Sequence, residues 1–110
     1  MAKSLDFNAL KKKYFTVKLA DENETVLMIG TPTKAIFDSF LNIKDALEDD
    51  SLGDDAIDEL YEIVAKIMSH NKGRVKVTKE EIEEFMDYED VITFIRMYTD
   101  FISEVTGSKN

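Results

Sequence analysis

The first regular pattern along the chain is an alternation of apolar and polar residues that begins near residue 14. Phe15, Val17 and Leu19 alternate with polar neighbours, and a period of two is typical of a strand that buries one face. Polar residues 21–24 separate this segment from a second one, residues 25–29, that is rich in β-formers. We therefore predict a β-hairpin over about residues 14–29. Because a lone hairpin is only marginally stable in water, it must lie against the helices or against a sheet from another subunit.

Most of the remaining chain shows the three-to-four-residue spacing of amphipathic helices. Ile36, Phe40 and Ile43 recur at intervals of four and three residues, which places them on one helical stripe. Thr31 and Pro32 precede this stripe, and we interpret them as the N-cap and the first helical residue. The predicted helices cover about residues 33–48, 54–71, 79–86 and 88–106.

The last two predicted helices have recognisable starts. Residues 78–81 (TKEE) form a capping-box pattern, and Asp87 is the expected N-cap of the last helix. The apolar arc of that helix is about 180° wide, whereas a surface helix needs about 100°. Together these patterns predict a single domain over residues 1–110, of the α+β class and mainly α. Its N-terminal β-hairpin is expected to pack on a bundle of about three to four helices.

The net charge of −9 is unevenly distributed along the chain. Residues 1–20 contain five lysines and one aspartate, a net charge of +4, so the other 90 residues carry −13. The lysine run at residues 11–13 is either solvated surface beside the first strand or a docking patch for an acidic partner. A body this acidic repels phosphate backbones, so we expect no nucleic-acid partner. No segment approaches the roughly 20 consecutive apolar residues that span a bilayer, so we expect no membrane partner.

Nothing in the residue pattern assembles an enzyme, and we expect no catalytic residue, no cofactor and no metal. The chain has no cysteine, and its only histidine, His70, lies near the end of a predicted helix. The adjacent Ser69 cannot pair with it as a nucleophile, because neighbouring helical residues point apart. The four glycines are scattered rather than gathered into a phosphate-binding loop.

An acidic loop at residues 48–59 resembles a calcium-binding EF-hand only in part. Aligning Gly53 with the turn glycine of that motif places Leu52 at the fifth position, where a ligand is needed. The same alignment places Asp55 at the eighth position, where an apolar residue belongs. We therefore interpret the segment as a solvated loop that also caps the next helix.

The apolar residues on the last helix exceed what one core contact uses. Either they surround a compact core or they form a groove that receives an amphipathic helix from a partner protein. A second strip on the first helix has the same two interpretations. The candidate partner-binding residues are Phe37, Leu41, Phe94, Met97, Tyr98 and Phe101.

Residues 78–106 also allow an alternative function, that of a small regulatory or DNA-associated protein with a helix-turn-helix. A recognition helix presents Arg, Lys, Asn or Gln to the base edges. The last helix offers only Arg96, among carboxylates such as Glu89 and Asp100. The composition therefore favours protein binding over DNA binding.

The hairpin and the start of the first helix carry a resemblance to a known family. Phe15-Thr-Val-Lys-Leu, an acidic turn and Thr25-Val-Leu-Met-Ile-Gly-Thr-Pro-Thr-Lys34 resemble small proteins from tail-gene clusters of phages and prophages of Gram-positive bacteria. These proteins are similar to tail assembly chaperones. The resemblance implies an acidic protein of the host bacterial cytoplasm with an N-terminal β element and a helical body. It also implies a helical tape-measure-type client, tail tube subunits, or both as partners, and it assigns no functional residue.

Overall fold

A computed structural model describes residues 12–19, 22–48 and 53–106. It confirms the predicted class, since the protein is α+β and mainly helical, with an N-terminal two-stranded antiparallel hairpin and four helices in the described residues. The strands and helices are β1 (Phe15–Lys18), β2 (Val26–Ile29), α1 (Lys34–Glu48), α2 (Asp54–Ser69), α3 (Lys79–Phe85) and α4 (Tyr88–Thr106).

The hairpin presents one face to the helices and one to solvent. Leu27 and Ile29 of β2 are buried, whereas Val26 and Met28 between them are exposed. The amide of Leu19 donates to the carbonyl of Thr25 at 2.8 Å and closes the loop. The paired residues are Phe15 with Ile29, Thr16 with Met28, Val17 with Leu27 and Lys18 with Val26.

The start of α1 differs from the prediction by two residues. The amide of Ile36 donates to the Thr33 hydroxyl at 3.4 Å, and the amide of Phe37 donates to the Thr33 carbonyl at 2.9 Å. Thr33 is therefore the N-cap, and the assignment of Thr31 to that position was wrong. The sequence offers two threonines on either side of Pro32, and the fixed φ of proline suits the residue before a cap as well as the residue after it.

The predicted caps of α3 and α4 are confirmed. Thr78 and Glu81 form a reciprocal capping box, with amide-to-side-chain distances of 3.2 Å and 2.9 Å. Asp87 accepts from the amide of Asp90 at 2.8 Å, and the Asp90 carboxylate accepts from the amide of Asp87 at 3.2 Å. Each helix start thus satisfies amides that have no partner within the helix.

The segment after α2 covers the outer edge of β2. The amide of Gly30 donates to the carbonyl of His70 at 3.1 Å, and the amide of Lys72 donates to the carbonyl of Met28 at 2.9 Å. Asn71 bridges to β2 and so leaves the helix. For this reason α2 ends at Ser69 and not near residue 71.

The side chain of Asn71 shapes the turn that follows α2. Its amide nitrogen donates to the carbonyls of Met68 and Val75, each at 2.7 Å, and its oxygen accepts from the amide of Val75 at 2.9 Å. The Ser69 hydroxyl then contacts both backbone groups of Val77 at 2.9 Å. These bonds fix the path between α2 and α3.

Tyr98 of α4 lies at the centre of the core with no exposed surface. Its ring meets that of Phe40 of α1 edge-on, with the ring centroids 5.7 Å apart. The ring of Phe15 of β1 lies 6.2 Å away between centroids, and that of Phe94 lies 5.8 Å away. The aromatic cluster therefore joins the hairpin, α1 and α4.

Candidate functional site

Three of the four candidate residues on α4 lie in the core and not at a surface. Phe94, Tyr98 and Phe101 are buried, and the ring of Phe15 lies within 6.2 Å of each of their rings between centroids. The wide apolar arc of α4 thus covers the chain's own hairpin. Their burial matches the first of the two interpretations, a compact core, and it leaves Met97 as the exposed candidate on α4.

Met97 differs from its neighbours because 53% of its surface is exposed. It lines a groove of about 310 Å³ between β1 and the helices α3 and α4. Met86 and Asp90 lie along the helical side of this groove, and every residue from 15 to 19 lies along the strand side. Methionine side chains are flexible enough to fit differently shaped apolar partners.

The two candidates on α1 lie on a second surface. Phe37 is half-buried against the core, whereas Leu41 is 38% exposed. Lys44 follows at the next helical interval, so Leu41 and Lys44 lie on the same side of α1.

A larger cleft, of about 600 Å³, lies between α1 and α4. Both helices pack against α2, and the rings of Phe40 and Tyr98 join them in the core beside the cleft. Ile95 is buried and Ile92 is half-buried, while Tyr88 is 43% exposed. The residues that line the cleft are Lys44, Tyr88, Ile92, Ile95, Arg96, Thr99 and Asp100.

The sequence did not predict this cleft. It indicated only Phe37 and Leu41, which lie on the same helix as the lining residue Lys44. Helical periodicity places Ile92 and Ile95 on an apolar side of α4 but does not give the spacing between α1 and α4. That spacing depends on how each helix packs on α2. The only sequence signal was the width of the apolar arc on α4, which exceeded the needs of one contact.

The groups considered for catalysis are engaged elsewhere or exposed. The Ser69 hydroxyl is held by the backbone of Val77, and His70 is exposed beside Gly30. Within the described part of the chain, no group of three or more His, Cys, Asp or Glu residues could hold a metal ion. Residues 49–52 of the acidic loop lie outside the described residues.

Two ionisable groups at the α2–α3 contact have shifted pKa values. Partial burial raises the pKa of Tyr61, with further contributions from nearby carboxylates led by Asp87. The pKa of Lys79 is also raised: partial desolvation opposes the shift, but the Asp58 carboxylate, 3.5 Å from the ammonium, outweighs it together with Glu83. Both shifts have structural causes and neither group lines the cleft.

The exposed side of α4 carries mostly negative charge. Glu89, Asp90, Asp100 and Glu104 are exposed there with a single cation, Arg96. Such a surface disfavours the helix-turn-helix interpretation, because DNA affinity depends on neutralising phosphates. Among the described residues, none of the helices has the length and apolar content that crossing a membrane requires.

Comparisons of the chain with protein-family models, curated proteins and solved structures find no match of any of the three kinds.

Proposed function

We propose that the protein is a non-enzymatic protein-binding module of the tail-assembly-chaperone type. Its client is a helical, tape-measure-type protein, tail tube subunits, or both, and the α1–α4 cleft takes an amphipathic helix of that client. The observation that carries the proposal is an open cleft of about 600 Å³ whose floor is apolar.

The floor of the cleft suits the apolar stripe of a helix. Ile92 and Ile95 lie one helical turn apart on α4, with the exposed ring of Tyr88 at one end. The lining residue on the α1 side is Lys44, and Leu41 lies one helical turn away on the same side of that helix. A helix in a groove is recognised through anchors at positions i, i+3, i+4 and i+7, and such a stripe matches the apolar side that α4 presents.

The rim of the cleft adds a charge preference. Lys44 on α1 and Arg96 on α4 line the cleft together with one carboxylate, that of Asp100. A client helix whose apolar stripe is bordered by acidic residues would pair with the two cations. The net charge of −9 meanwhile keeps a protein with an open apolar cleft soluble.

Tail tube subunits would need a second surface. The outward face of the hairpin exposes Val26 and Met28 on β2. This face is separate from the cleft, so one molecule could hold both classes of client.

The test is co-expression with a long helical protein of the tape-measure type. We expect the two proteins to purify together and the helical protein to be more soluble than when it is expressed alone. If they purify separately and neither alters the solubility of the other, the proposal is wrong.

A further inference from the structure

β1 has a free edge among the described residues, whereas β2 is paired on both sides. One side of β2 pairs with β1, and the other meets residues 70–72. Leu19 and Thr25 form a hydrogen-bonded pair. In an antiparallel ladder every second residue bonds to the neighbouring strand, so the backbone groups of Thr16 and Lys18 point away from β2. No described residue pairs with that edge.

From this edge we infer that the protein forms a two-fold symmetric dimer in which the β1 strands of two copies pair antiparallel. The proposed axis passes between Thr16 and Thr16 of the second copy. The result is a continuous four-stranded sheet, with β2 at each outer side. This dimer uses the hairpin and not the α1–α4 cleft, so it stands independently of the proposed client.

The register follows from which residues point outward. Tyr14, Thr16 and Lys18 alternate along the free edge, so with the axis at Thr16 the hydrogen-bonded pairs are Thr16 with Thr16 and Tyr14 with Lys18 of the other copy. A shift by one residue would pair an outward-pointing residue with one whose backbone groups already bond to β2. It would also place side chains from opposite faces together.

Side chains agree with this register. Phe15 lies opposite Val17 of the other copy on the inner face, and aromatic with β-branched pairs stabilise antiparallel strands. Both residues are only half-buried in one copy. On the outer face Thr16 meets Thr16, and Lys18 meets an aromatic ring instead of another lysine. No like charges lie directly opposite each other.

Charge complementarity favours a second copy over an unrelated strand. Lys12 and Lys13 are exposed and continue β1 at its start. In the dimer they reach past the end of the other copy's β1, where Leu19 and Asp90 line the same groove. The two lysines of one copy thus lie at the groove that contains the Asp90 carboxylate of the other.

The first test uses charge at the two-fold axis. Thr16 is exposed on the outer face, so Thr16→Lys and Thr16→Glu should leave the fold intact while placing like charges opposite each other in the dimer. The molar mass is measured by sedimentation at about 100 μM, a concentration that populates modest interfaces. Wild type should have twice the mass of one chain, 12.6 kDa, and each variant should be a monomer. An equimolar mixture of the two variants should restore the dimer, and Thr16→Val should behave as wild type.

A second test keeps the inference testable if a charged variant folds poorly. The chain has no cysteine, and hydrogen-bonded partners lie about 5.5 Å apart between Cα atoms, within disulfide range. Oxidised Thr16→Cys should form a disulfide-linked dimer. Met28→Cys is the matched control, because its Cα atoms would lie roughly 14 Å apart, three strand spacings, in the same dimer.

A wild-type monomer at that concentration would overturn the inference. So would variants that dimerise as well as wild type, a mixture that stays monomeric, or equal cross-linking at both cysteine positions.

Discussion

The hydroxyl of Tyr98 donates a hydrogen bond to the carbonyl of Gly30 at 3.1 Å and so ties the last helix to the end of the hairpin. The two residues are 68 positions apart in the chain. A buried tyrosine usually finds such a partner, because an unpaired hydroxyl or carbonyl in the core costs free energy. This bond secures the end of β2. The aromatic cluster holds the start of β1 through the ring of Phe15.

Tyr98→Phe should therefore destabilise the protein while keeping the aromatic packing. Removing the hydroxyl leaves the Gly30 carbonyl without that donor, and we expect the free energy of unfolding to fall by about 1–2 kcal/mol. Urea denaturation followed by circular dichroism measures the change. Tyr88→Phe is the matched control, because Tyr88 is exposed, and an equal loss in both variants would contradict the role of the bond.

The ionisation of Tyr98 should make the stability of the protein depend on pH. Burial raises the pKa of Tyr98 well above its ordinary value of 10.0. Above about pH 10 the unfolded chain loses a proton that the folded chain keeps, so the free energy of unfolding falls as the pH rises. Tyr61 acts in the same direction, because its pKa is also raised.

Comparing wild type with Tyr98→Phe separates the contribution of Tyr98 to this pH dependence from that of Tyr61. Urea titrations at several pH values from neutral to about 11 should show a shallower loss for the variant. Parallel slopes for the two proteins would mean that Tyr98 ionises as readily in the folded state as in the unfolded chain.

Asn71 should control the order of the segment that covers β2. Its side chain makes three hydrogen bonds around the turn, so we expect Asn71→Ala to cost about 1–3 kcal/mol. The amides of Gly30 and Lys72, which bond across the bridge, should exchange with solvent faster in the variant than in wild type. Lys76→Ala, at an exposed position of the same connection, should change neither quantity, and unchanged exchange in Asn71→Ala would contradict this account.

Local patterns in the sequence predicted the strands and helices well, because each has its own signal. The alternation around Val17 and the capping box at Thr78 depend on residues close in the chain. The bridge between Asn71 and β2 could not be predicted, since it joins segments about 40 residues apart and leaves no periodicity. For the same reason the end of α2 was placed two residues too late.

The candidate site was predicted less well than the fold. Periodicity identified the apolar arc of α4 but could not tell whether it covers the chain's own hairpin or a partner. Phe94 and Phe101 cover the hairpin, whereas Met97 beside them is exposed. The cleft that contains Ile92 depends on the distance between α1 and α4, which no local pattern encodes.

The central claim, that the α1–α4 cleft binds a helical client, is tested most directly by a charge placed on its floor. Ile92→Glu introduces a carboxylate where an apolar stripe would pack, and Val75→Glu places the same charge at an exposed apolar position outside the cleft. Affinity for the co-expressed helical protein, measured by calorimetry, should fall at least about tenfold for Ile92→Glu and stay near wild type for Val75→Glu. Wild-type affinity in the folded Ile92→Glu variant, or an equal loss in both variants, would contradict the claim.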